Sequence, residues 1–159
     1  MKLRLGEIRE KHDLSQRKTA IKLKISKSYY NYFETGERII PLIRLNDFCN
    51  YFHTDFDYAL GLSKHNIVTK ELKKLDKKLI GTRIKEIRKK NKLTQNDLAK
   101  ILNTSQSTIS SYEHGKTIIL TAFLYEMCTK LNVSANYIVG KTNTIKTIIE
   151  SWNNSFFFL

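Results

Sequence analysis

At 159 residues, 41% of them hydrophobic and 11% aromatic, the chain has material for packed cores, which argues against disorder. Lys and Arg number 28 against 15 Asp and Glu, a formal charge of +13 that implies a polyanionic partner. No stretch approaches the roughly 18 apolar residues of a membrane span, and the charged start MKLRLGEIREKHDL lacks the apolar run of a signal peptide, so a cytoplasmic, nucleoid-associated location is expected.

The charge is not a tail effect: residues 1–79 carry +7 and the remainder +6. Sliding the chain by 79 residues lays 4–61 on 83–140 without a gap, and 19 of these 58 positions are identical. Among the identities are Glu7/Glu86, Arg9/Arg88, Leu14/Leu93, Gln16/Gln95, Ala20/Ala99, Ser26/Ser105, Glu34/Glu113 and Gly36/Gly115. Such self-similarity marks a duplication. The expected organisation is a first domain over 1–63, a linker over 64–79, a second domain over 80–141 and an apolar tail over 142–159.

Each unit reads as five short helices. In the first, Ser15 and Ser26 are suited to cap helices two and three, Gly36 to stop helix three, and Pro41 to precede helix four. The linker KHNIVTKELKKLDKKLIGT places Leu72, Leu75 and Leu79 on one stripe behind a possible Thr69 cap, so a basic connector helix is expected. In the second unit, Ile84 and Ile87 open a helical pattern that ends in the basic run 89–92. Thr94, with Asp97 three residues on, makes a near capping box for a helix over 95–102 that buries Leu98, Ala99 and Leu102. Ser105 caps a helix over 106–113, anchored by Ile109 and Tyr112 and stopped by Gly115. Helix four falls near 121–131 and a short fifth near 135–139. Strand signals are nearly absent, so the fold class is all-α.

Two short helices joined by a tight turn, the second opened by a Ser cap, form the pattern of a DNA-reading helix-turn-helix. Ala20 and Ala99 sit where the two helices approach most closely. Apolar residues below the second helix turn Gln106, Ser107, Thr108, Ser110 and Ser111 outward, a small polar face able to enter a major groove. The segments LTQNDLAKILNTSQSTISSYEHGK and LSQRKTAIKLKISKSYYNYFETGER resemble the Cro/repressor (XRE) helix-turn-helix family over residues 3–62 and 82–141. The resemblance implies two tandem five-helix, lambda-repressor-like DNA-binding domains and a transcriptional regulator, with a repressor of phage or mobile-element type as the leading reading. It implies backbone-contacting and supporting roles for Gln16 and Gln95. It implies contacts to bases or nearby phosphates for Gln106, Ser107, Thr108 and Ser111, and for Lys27, Ser28, Tyr29 and Tyr32. Ser110 and its counterpart Asn31 can reach DNA as well. Tyr30 and Phe33 align with Ile109 and Tyr112 and are expected in the core, unlike Tyr29 and Tyr32.

Departures are visible. The turn position usually held by Gly is Lys24 in one copy and Asn103 in the other, and Lys tolerates positive φ poorly. Thr19 replaces a core Leu98, and Thr104 a core Ile25. The other reading is therefore an antitoxin-like or docking regulator in which one domain binds a protein. An enzyme is not expected: His12, His53, His65 and His114 show no metal spacing, and no phosphate loop or nucleophile elbow is present. Neither cofactor nor metal is expected, and Cys49 and Cys128 read as buried free thiols. Expected partners are double-stranded operator DNA and, beside it, an antirepressor protein or a second copy held through the linker or the tail TIKTIIESWNNSFFFL.

Overall fold

The computed structural model describes Met1, residues 3–67 and residues 74–145. Two compact units divide at Lys74/Leu75. The first holds α1 (Leu5–Lys11), α2 (Gln16–Lys22), α3 (Lys27–Thr35), α4 (Leu42–Tyr51) and α5 (Phe56–Ala59). The second holds α6 (Lys77–Lys90), α7 (Gln95–Ile101), α8 (Gln106–Glu113), α9 (Thr121–Leu131) and α10 (Ala135–Ile138). No strand occurs among the described residues. The expected all-α class and five-helix order both hold.

Local chemistry places the helix ends. The hydroxyls of Ser15, Ser26 and Ser105 accept from the amides of Lys18, Tyr29 and Thr108, and Thr94 with Asp97 forms a complete capping box. Each unit carries the same three non-glycine residues at positive φ in different chemistry: Asp13 and Lys92, Lys24 and Asn103, His53 and Asn132. The turn between α2 and α3 shows why the geometry persists. With Lys24 at φ 54°, the amide of Ile25 reaches back to the Ala20 carbonyl at 3.0 Å, closing the end of α2. Asn103 at φ 49° does the same for Thr104 and Ala99, at 2.9 Å.

Each core sits beneath helices two and three. Leu5, Ala20, Tyr30 and Phe33 are buried in the first unit, and Ile84, Ala99, Ile109 and Tyr112 in the second. Cys49 and Cys128 are buried and not joined in a disulfide. In the second unit α6 lies so close to the end of α8 that a Cβ on Gly81 would collide with the Tyr112 carbonyl oxygen. The contact works only with glycine.

Two expectations need revision. Leu75 and Leu79 do not share a helix: Asp76 caps α6 with its carboxylate, so Leu75 precedes the helix and Leu79 lies in its first turn. The remainder of the connector helix, from Thr69 to Leu72, and the apolar tail beyond Ile145 lie outside the described residues. Ile25 and Thr104 are half-buried rather than core, because each follows the left-handed turn residue at the rim of the fold.

Thr19 is the real defect of the first core. It is fully buried, and its hydroxyl finds no hydrogen-bond partner among the described residues. An unsatisfied buried hydroxyl costs about 1–3 kcal/mol, and valine keeps the shape without it. Thr19→Val should therefore raise the stability of the first unit by about 1 kcal/mol in denaturant unfolding. A loss of stability would contradict this packing.

Candidate nucleic-acid interface

The candidate interface rests on an ion pair present in both units. Arg88, on α6, donates through Nε and Nη2 to the Glu113 carboxylate at 2.5 and 2.9 Å, and through Nη1 to the Leu93 carbonyl at 2.8 Å. Arg9 repeats this with Glu34 at 2.9 and 2.6 Å and with the Leu14 carbonyl at 2.8 Å. One guanidinium thereby ties the last turn of helix three to helix one and to the loop that opens helix two. The Glu113 side chain is only 1% exposed and Arg88 10%. Breaking so buried a pair costs about 3–5 kcal/mol, because the remaining charge is stranded. The exposed Glu7–Lys11 pair belongs to the surface class, worth about 0–1 kcal/mol. The buried pairs decide the geometry.

From the carboxylate the network runs on to the proposed reading face. Gln95, the first residue of α7, donates through Nε2 to Glu113 at 2.8 Å. Its own Oε1 accepts from Gln106 Nε2 at 2.6 Å, so the first side chain of α8 is held in place. In the first unit Gln16 Nε2 reaches Glu34 at 3.2 Å and Asn31 Oδ1 at 3.1 Å. Gln16, Lys27, Ser28, Asn31 and Tyr32 line one notch of about 350 Å³.

The remaining candidates stand on the same outward face. Gln106, Ser107, Lys27 and Ser28 are exposed, while Thr108, Ser110, Ser111, Tyr29, Asn31 and Tyr32 are partly exposed. Ser107 and Thr108 each share a 2.8 Å hydrogen bond with the Ser105 hydroxyl, which draws these hydroxyls toward the helix cap. Tyr29 is partly exposed, and its ring centroid lies 4.5 Å from that of the buried Phe33. Tyr32 has the Arg38 guanidinium 5.1 Å from its ring. Tyr30 and Phe33 are buried as expected. Beside this face, Tyr58 donates to Glu7 at 2.6 Å and Tyr137 to Glu86 at 2.7 Å, bracing helix one on helix five in both copies.

Sequence reasoning assigned no role to Arg9, Arg88, Glu34 or Glu113. The signal was present: an opposite-charge pair kept 25 residues apart in both copies.

Two units each present a capped, firmly tethered helix with its polar side outward, which is the architecture of a duplicated helix-turn-helix DNA-binding regulator. The helix-turn-helix family matches residues 5–58 and 84–138, and the chain belongs to that family, in its Cro/repressor (XRE) type. The antitoxin PezA of Streptococcus pneumoniae serotype 4 (strain ATCC BAA-334 / TIGR4) is 36% identical over 70 residues, 44% of each chain. The chain thus spans under half the length of that curated relative. A solved chain from the SinR protein/SinI protein complex is 27% identical and covers 48% of this chain and 76% of that one, with a TM-score of 0.37. Among the described residues no helix is long and apolar enough to cross a membrane.

The ion pairs have a pH signature. Burial pushes the Glu113 carboxyl up, but hydrogen bonds from Arg88 and Gln95 outweigh it and hold the carboxyl below its ordinary value of 4.5. Glu34 behaves likewise with Arg9 and Gln16. A group lowered on folding stabilises fully above its unfolded value, and that contribution is lost as pH falls through the folded one. Thermal unfolding between pH 6 and 3 should show a steep acid loss in the native chain. Glu113→Gln should be less stable by about 3 kcal/mol at pH 6 and should lose less on acidification. Parallel pH profiles for the two proteins would contradict the assignment.

Proposed function

We propose that the chain represses transcription by binding a specific double-stranded operator, reading bases with α3 and α8. The observation that carries this is the Arg–Glu–Gln tether, which fixes each of these helices from below and leaves its polar face outward. The net charge of +13 supplies the sequence-independent attraction to phosphates. Gln16 and Gln95 serve as backbone contacts and supports. Gln106, Ser107, Thr108, Ser110 and Ser111 contact bases or adjoining phosphates, as do Lys27, Ser28, Asn31, Tyr32 and the more packed Tyr29. Two readers in one chain suit an operator with two half-sites.

A second reading, an antitoxin-like regulator that also docks a protein, draws on the antitoxin relative and on the buried, unsatisfied Thr19 hydroxyl that weakens the first unit.

Affinity for duplex fragments measured across salt concentration separates the two. The proposed function predicts a steep log–log decline, about 0.9 per phosphate neutralised. Joint replacement of Gln106 and Ser107 by Ala should abolish base preference in the half-site read by the second unit and leave general affinity nearly intact. Salt-insensitive binding, or a double variant with unchanged sequence preference, would favour the docking reading.

A further inference from the structure

The two copies share the glutamine that opens helix two but spend its amide differently. In the second unit, Gln95 Nε2 serves the Glu113 carboxylate at the end of α8, and its oxygen faces the start of the same helix, where it receives Gln106 Nε2 at 2.6 Å. Gln106 keeps its own Oε1 and a second N–H, an acceptor and donor side by side that match N6 and N7 of adenine. In the first unit the residue at Gln106's position is Lys27, which is exposed and has no acceptor atom in its side chain. Gln16 instead divides its Nε2 between Glu34 and the Oδ1 of Asn31, at 3.2 and 3.1 Å. The side chain held ready on α3 therefore stands one turn later, about 6 Å further along the helix axis. Asn31 retains an Nδ2 donor and a second lone pair on Oδ1, again an adenine-type edge. Its counterpart in the second unit is Ser110, which turns to His114 with Oγ 3.3 Å from Nδ1.

We propose that the two units read unlike half-sites. Gln106 is the discriminating residue of the second unit, Asn31 that of the first, and Lys27 contributes charge without base preference. This rests on the operator-reading function proposed above and adds which residue specifies each half.

The test uses the full chain and sequences selected from random duplexes, with Gln106→Ala, Asn31→Ser and Lys27→Ala as variants. Serine at 31 is the residue the second unit carries there, so the variant should fold, and a thermal transition checks each protein. The two selected half-sites should differ. Gln106→Ala should relax one base pair in one half by about tenfold, and Asn31→Ser one base pair in the other half by a similar factor. Lys27→Ala should weaken all duplexes alike and flatten the salt dependence by about one ion. Identical half-sites, or a base preference lost with Lys27 but kept in Asn31→Ser, would overturn this inference while leaving the operator function standing. Failure of the native chain to bind duplexes at low salt would overturn both.

Discussion

A buried guanidinium–carboxylate pair is the constraint from which each unit's working geometry follows. Helix three in each unit has only eight or nine residues, too short to hold its shape or direction alone. Apolar anchors such as Ile109 and Tyr112 fix its depth and which side faces outward, but burial is non-directional and leaves the fine placement of side chains open. Hydrogen bonds are directional, and Arg88 spends three of its N–H groups on Glu113 and the Leu93 carbonyl. The same carboxylate then orients Gln95, and Gln95 orients Gln106. Burial and fine placement thus come from different residues.

Duplication allows the fold's needs to be separated from the reader's. Both copies keep Arg, Glu and Gln, the serine cap of helix three, and the Tyr58 or Tyr137 brace. The reading positions change almost throughout: Lys27 for Gln106, Tyr29 for Thr108, Asn31 for Ser110, Tyr32 for Ser111. In the element formed by helices two and three the first copy also carries more strain. Lys24 holds a left-handed conformation that costs an ordinary side chain about 1–2 kcal/mol and asparagine less. Thr19 adds an unsatisfied hydroxyl in the same two-helix element. The second copy, with Asn103 and Leu98 at those positions, is the better-made scaffold.

Much of this was legible beforehand because it depends on local signals. Serine caps, the capping box at Thr94, the glycine stops and the 3.6-residue apolar rhythm placed the bounds of α7 to α10 to within a residue or so, whereas α6 opens at Lys77, well before the pattern read from Ile84. The left-handed residues Asp13, Lys92, His53 and Asn132 were not legible, since none is glycine and types such as Asp, His and Asn, though enriched there, more often lie elsewhere. Of the candidate site, the outward residues could be read off the helix periodicity, whereas Arg9, Arg88, Glu34 and Glu113 could not. Charged residues at 25-residue separation look like surface until the fold brings them together. Tyr29, read as outward, is partly exposed with its ring against Phe33. An aromatic at the rim can lean on the core with its ring and still show its edge to solvent.

Backbone amide shifts followed by NMR, while a selected duplex is titrated into the full chain, test the central claim most directly. The account predicts that amides of Gln95 and of 106–111 move early and strongly, with those of Gln16 and 27–32, while α9 and α10 stay nearly still. Large shifts confined to α9 and α10, with helix three silent in both units, would contradict it.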